Sequence, residues 1–240
     1  MEEARLVVEK SQPMVSYLEE VLSVPVRIRY VADYAEILNL FAAGEIDIAY
    51  LGPFSYVALK QYYPEAEPLV VTRNSDGSAS YSCWIVSPID GVKRVEEIDQ
   101  SFALTQQLST CGPITVAMTL NQYGVNLSKL KNQFLGTHDE VALAVLRKEF
   151  QAGSLSSTIA SKYSDLGLNV LHKTENLPLF PLVVNGRTVS PEYKLLIEHG
   201  LLSLQPEARS GWGLGNQGFL PANDKDYDVI RDIQVRAHVD

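Results

Sequence analysis

Residues 46–62, IDIAYLGPFSYVALKQY, decide the architecture. The first seven, 46–52, form a short apolar run that reads as a buried strand. Gly52 and Pro53 punctuate it, and apolar residues at helical spacing follow over 54–62. Strand, Gly-Pro turn and helix make up one repeating step of an α/β fold.

The same step recurs outward in both directions. Upstream, Leu6, Val7, Met14, Tyr17, Leu18 and Val21 predict a helix over 4–22, which Pro13 is expected to kink or divide. Residues 24–31, VPVRIRYV, alternate apolar and polar and predict a strand. Asp33 reads as the cap of a helix over 35–43 that Gly44 ends. Downstream, strands are predicted at 68–74, 81–87, 101–105, 132–136, 168–174 and 179–185, with a short one at 150–157. Helices are predicted at 95–98, 113–123, 137–148 and from 190 to 200, and a short one near 227–235. Residues 74–80 read as a turn. The pattern predicts parallel α/β units with short linkers and no internal repeat.

Composition narrows the function. The net charge of −9 argues against a nucleic-acid surface, which carries a basic stripe. It leaves a small buried anion open, because local donors hold such a ligand. Apolar residues make up 46% of the chain and charged ones 20%, so it belongs with the folded globular proteins. No uncharged apolar run approaches the ~18 residues of a membrane span. The opening MEEARLVVEK lacks the basic start and apolar stretch of a signal peptide. Cys83 and Cys111 are too few for a disulfide framework and fit no zinc spacing. They read as two half-buried thiols, with pairing open only in an oxidising compartment.

Strand-to-helix junctions are where open α/β sheets bind ligands. Four stand out. In LSTCGP, 108–113, the hydroxyls of Ser109 and Thr110 meet Gly112 and Pro113 at a helix start. Two readings stand there: an anion site at the positive end of a helix dipole, or a plain cap by Ser109 or Thr110. In GTHDE, 136–140, His138 is a candidate donor and Asp139 a candidate cap. YLGPFSY, 50–56, reads as a ligand wall or as a packed turn. In SLSST, 154–158, the hydroxyls either cap a helix or touch a ligand. No enzyme motif is present: there is no G-x-S-x-G, P-loop, H-E-x-x-H or C-x-x-C. A triad of Ser109, His138 and Asp139 fails because adjacent His and Asp at one helix start diverge. No catalytic residue, metal or cofactor is expected.

In order, RLVVEKSQPMVSYLEEVL, GEIDIAYLGPFSYVAL, SYSCWIV, LSTCGP, GTHDEVALAVL, AGSLSST and GFLPANDKDYDVIRDI resemble the phosphate/phosphite/phosphonate-binding proteins of ABC transporters, over nearly the whole chain. The resemblance implies a type II periplasmic binding-protein fold. Lobe one would be 1–79 plus 187–240 and lobe two 80–186, with crossing strands near 81–86 and 181–185 and the ligand between the lobes. The family's Ser-Thr-Ser-Gly loop falls on Ser109, Thr110, Cys111 and Gly112. Its histidine falls on His138 and its strand-opening tyrosine on Tyr81. Its first-lobe wall falls on Tyr50, Leu51 and Gly52. Cys111 stands in place of a hydroxyl, and Leu108 in place of a polar residue. The positions where relatives hold an amine with carboxylates fall on Thr158 and Phe180, so the resemblance implies an oxyanion without an amine.

The family's opening strand, of the type V-G-V-L-P, has no counterpart before the first helix. The expected first sheet therefore lacks it, and a homodimer follows if a neighbouring chain supplies one. The implied partners are the small oxyanion and an ABC permease, with no nucleic acid. The implied location is the periplasm or a cell-surface lipoprotein. A ligand-sensing domain of a signalling protein and a same-fold biosynthetic enzyme are the alternatives.

Overall fold

A computed structural model describes residues 4–237. Its elements, in chain order, are α1 (Ala4–Leu22), α2 (Tyr34–Ala42), β1 (Ile48–Tyr50), α3 (Pro53–Tyr62), β2 (Ala66–Thr72), β3 (Ser80–Tyr81), β4 (Cys83–Pro88), β5 (Ser101–Leu104), α4 (Pro113–Asn121), β6 (Lys131–Phe134), α5 (His138–Leu146), β7 (Ala152–Ser156), α6 (Ser157–Tyr163), β8 (Leu168–Lys173), β9 (Leu177–Pro178), β10 (Pro181–Asn185), α7 (Pro191–Ser203), β11 (Phe219–Pro221) and α8 (Asp228–Ala237). The chain divides into two compact units. Among the described residues, one holds 4–80 and 178–227, the other 81–177 and 228–237. The division runs at 80/81, 177/178 and 227/228. Residues 178–186 and the last helix thus fall on the other side of it from the lobes expected from sequence.

The unit containing the N-terminal helix is built on a four-stranded sheet of order β1-β10-β2-β11, with every ladder antiparallel. Here β10, expected as a crossing strand, is an inner strand. It is buried along its length because it has a neighbour on both sides. Met14, Leu18 and Leu22 of α1 repeat at four-residue spacing and pack with Ile197 and Leu201 of α7 and Val70 and Val184 of the sheet. Gly200 lets α1 and α7 approach: a Cβ there would lie 3.3 Å from Val21 and 3.4 Å from the Tyr17 hydroxyl, which donates to Gly200 O.

Three expectations fail in this unit. Its sheet is antiparallel and not the mostly parallel one expected, because β10 enters between β1 and β2 and runs against both. Pro13 does not divide α1, which runs unbroken from Ala4 to Leu22. The proline deprives Glu9 of one hydrogen bond at an exposed position, while the apolar stripe holds both halves. Residues 24–31 form no strand. Burial still alternates along them, with Val26, Ile28 and Tyr30 turned partly inward, but no strand of the described residues pairs with them. The side-chain period is there and the ladder partner is not.

The other unit carries a five-stranded sheet of order β6-β5-β7-β4-β8. The β5–β6 and β5–β7 ladders are parallel, and β4 runs antiparallel to both β7 and β8. Four strands therefore share one direction and β4 alone opposes them. Phe102 and Leu104 of β5 face a core with Val116 and Leu120 of α4. Ala103 faces the opposite core with Val141 and Val145 of α5. The two-residue strands β3 and β9 form a separate short ladder where the chain passes between units.

The cysteines are not free thiols: Cys83 and Cys111 form a disulfide, with Cα atoms 5.3 Å apart. Sequence distance hides this. Because β4 opposes β5 and β7, its first residue lies at the sheet edge where β5 and β7 end, beside the loop that carries Cys111. Closing 28 residues of separation stabilises the fold by roughly 3–4 kcal/mol on the chain-entropy account.

Candidate functional site

Three neighbouring strands, β6, β5 and β7, run in one direction, and each ends at a helix start: β5 leads to α4, β6 to α5 and β7 to α6. This gathers the polar junctions at one edge of one sheet, where uncapped backbone N–H groups concentrate.

The loop after β5 is wound by its own bonds. Ser109 N–H donates to Gln106 O at 3.1 Å and Gly112 N–H to Ser109 O at 2.9 Å. Thr115 Oγ1 donates to Thr110 O at 2.5 Å. Gly112 is required by space: a Cβ would sit 2.6 Å from Gln106 O and 2.7 Å from Ser109 O. Gly112 is also the residue at the cap position of α4, Pro113 opens the helix, and no side chain caps it. Neither Ser109 nor Thr110 is therefore the side-chain cap of α4. Both are buried, at 7% and 3% exposure, beside a helix end without a side-chain cap.

Sequence reading missed Thr105. It follows β5, is 1% exposed, and its Oγ1 makes no hydrogen bond among the described residues. By strand alternation it continues the Ala103 side of β5, the side covered by α5. A hydroxyl ending an otherwise apolar buried strand, Phe102-Ala103-Leu104-Thr105, was the available signal.

At the start of α5 the capping residue is Thr137, whose hydroxyl accepts from Glu140 N–H at 3.0 Å, and not Asp139. Asp139 instead accepts from Lys162 Nζ at 2.6 Å and the Tyr163 hydroxyl at 2.7 Å. His138, first residue of the helix, accepts the Ser156 N–H on Nδ1 at 3.1 Å. Burial pushes its pKa down to about 4. At neutral pH the ring is therefore uncharged, with Nδ1 occupied as an acceptor and the proton on Nε2, a neutral donor.

The remaining expected residues are spread over both units. Tyr81 is buried at 8% exposure, and Thr158 is exposed on α6. In the other unit, Tyr50 packs on Phe180 with ring centroids 5.5 Å apart, and its hydroxyl lies 3.4 Å from Thr72 Oγ1. Burial raises the Tyr50 phenol to about 12, although 38% of the residue is exposed. With or without that shift the group is neutral at pH 7. Leu51 is fully enclosed and its N–H is bonded to Pro181 O, so it packs the turn and offers no donor. Gly52 holds the cap position of α3, ahead of Pro53. Among the described residues no cluster of His, Cys, Asp or Glu forms a metal site, and no helix is long and apolar enough to cross a membrane.

A family model described as the periplasmic substrate-binding protein of ABC transporters for phosphonate matches residues 1–227. The chain belongs to that family. The phosphate-import protein PhnD of Mycolicibacterium smegmatis is 25% identical over 162 residues, 62% of this chain and 50% of that protein. The match thus spans half the length of that curated relative. PhnD1 from Prochlorococcus marinus, solved in complex with methylphosphonate, superimposes with a TM-score of 0.83 at 18% identity, covering 98% of this chain and 94% of that one. The binding-protein component of an ABC phosphonate transporter from Pseudomonas aeruginosa gives 0.82 at 17%, covering 98% and 83%. At these identities the likeness shows the fold, which is the type II periplasmic binding-protein architecture expected from sequence.

Proposed function

We propose that this member of the family captures a small phosphorus oxyanion lacking an amine and delivers it to an ABC permease. The observation that carries the reading is the start of α4. Its positive end has no side-chain cap, and the buried hydroxyls of Ser109 and Thr110 lie immediately before it. The Thr105 hydroxyl and the neutral Nε2–H of His138 belong to the same sheet edge. Neutral donors suit selection of an anion by hydrogen bonds, because they contribute without a counter-charge that would hold any anion. Cys111 and Gly112 contribute backbone only. Tyr50, Gly52, Tyr81, Thr158 and Phe180 are assigned to the ligand's substituent on the strength of the family resemblance.

Thr158 and Phe180 are uncharged where an amine would need a carboxylate. A buried ammonium without a partner costs several kcal/mol, so a 2-aminoethyl substituent lowers affinity by about a hundredfold or more. The reading is of a binding module without turnover, and the disulfide supports an oxidising compartment outside the cytosol. Calorimetric titration with phosphite, phosphate, methylphosphonate and 2-aminoethylphosphonate tests it. Tight binding of at least one of the first three, with the aminophosphonate weakest, is the expected order. Tight binding of the aminophosphonate with phosphite and methylphosphonate inert overturns it.

A further inference from the structure

Cys111 occupies the third position of the loop 109–112, and its sulfur is bonded to Cys83 Sγ. A disulfide sulfur has no proton to donate. Cys111 therefore adds nothing to a bound anion beyond its backbone, and its side chain has another use. The bonds that wind the loop, from Ser109 N–H to Gln106 O, Gly112 N–H to Ser109 O and Thr115 Oγ1 to Thr110 O, all lie between residues 106 and 115. They fix the loop's shape.

The disulfide reaches outside it. Cys83 opens β4 directly opposite Ser156 of β7. Ser156 N–H in turn holds Nδ1 of His138 at 3.1 Å. A continuous path thus runs from Cys111 through the S–S bond to Cys83, across one rung of the ladder to Ser156, and on to the imidazole. Both cysteines are buried, at 1% and 2% exposure, so the link is anchored in packed surroundings.

We propose that the Cys83–Cys111 disulfide is a positioning device that sets the hydroxyls of Ser109 and Thr110 in register with the Nε2–H of His138, so that oxyanion affinity depends on the bond. This rests on the anion-binding reading above and adds a condition to it. The oxidised chain binds, and the same chain with two thiols binds weakly. Orientation within fractions of an ångström decides how many donors reach one small ligand at once.

The test compares oxidised and reduced protein, with methylphosphonate and inorganic phosphate as probes. Reduction by a dithiol transfers two electrons and two protons to the bond, leaving thiols at Cys83 and Cys111 and an intramolecular disulfide in the reagent. Kd is measured by calorimetry well below the melting midpoint of either form, with far-UV circular dichroism as the check on folding. Reduction is expected to raise Kd at least about tenfold with the dichroism unchanged. A purely structural bond would lower the melting midpoint and leave Kd alone.

Equal Kd values in the two forms overturn this proposal and leave the binding reading intact. Binding of neither probe by the oxidised protein overturns both. Loss of the fold on reduction also overturns it, since the bond is then a general staple. Cys111→Ser supplies an independent arm, restoring a hydroxyl without a tether. It is expected to bind more weakly than the oxidised protein, and equal or tighter binding shows that donor number outweighs position.

Discussion

The helices α3 and α4 start the same way in different surroundings. Gly52 and Gly112 hold the cap position, Pro53 and Pro113 open the helix, and neither start has a side-chain cap. In α3 the hydrocarbon closes over the start: Leu51 is fully buried ahead of it, and Pro53, Phe54, Tyr56 and Val57 are buried behind. In α4 the residues ahead are Ser109 and Thr110, buried hydroxyls, and a tethered cysteine. Gly-Pro supplies a backbone device in both. On the proposed reading, the residues before it set how far that device is closed by packing and how far it is left to an anion.

Substitution can break this comparison from either side. The largest effect belongs to Leu51→Ala, which empties a fully buried position and is expected to cost about 2–5 kcal/mol in urea denaturation. A loss below about 1 kcal/mol would mean the first corner is not closed by packing. Next comes Thr110→Val, nearly equal in volume. Its expected signature is a tenfold to hundredfold rise in Kd for methylphosphonate, the ~1.5–3 kcal/mol of a hydrogen bond to a charged group, with a melting midpoint close to wild type. An unchanged Kd would make the second corner as structural as the first. The smallest effect on stability is expected from Thr105→Val. Removing a buried hydroxyl that has no partner among the described residues leaves stability unchanged or raises it by up to about 1 kcal/mol, while weakening binding. A clear loss of stability would show that the hydroxyl is satisfied within the fold.

Periodicity carried most of the fold into view. The helix bounds of α1 and the Gly-Pro corners follow from apolar spacing and punctuation, which are local. What stayed hidden depends on partners distant in sequence. VPVRIRYV has every property of a strand that one segment can have, yet a strand exists only when a neighbour pairs with it. The cysteine pair is invisible for the same reason, since it follows from β4 running against β5 and β7. In the candidate site, residue type at a junction singled out Ser109, Thr110 and His138 for the proposal. The use of each group was not legible: Thr137 and not Asp139 caps α5, and Thr105 needed burial to stand out.

The place of β10 has a consequence for how the molecule is made. It lies between β1 and β2, which are not paired with each other. A ribosome that has finished residue 72 has produced both outer partners and none of the strand that joins them. That strand arrives more than a hundred residues later, after the whole of β4 to β8 has emerged. During the interval the first part of the chain holds apolar strands with open edges, the form of polypeptide most prone to mispair and most in need of a holding chaperone.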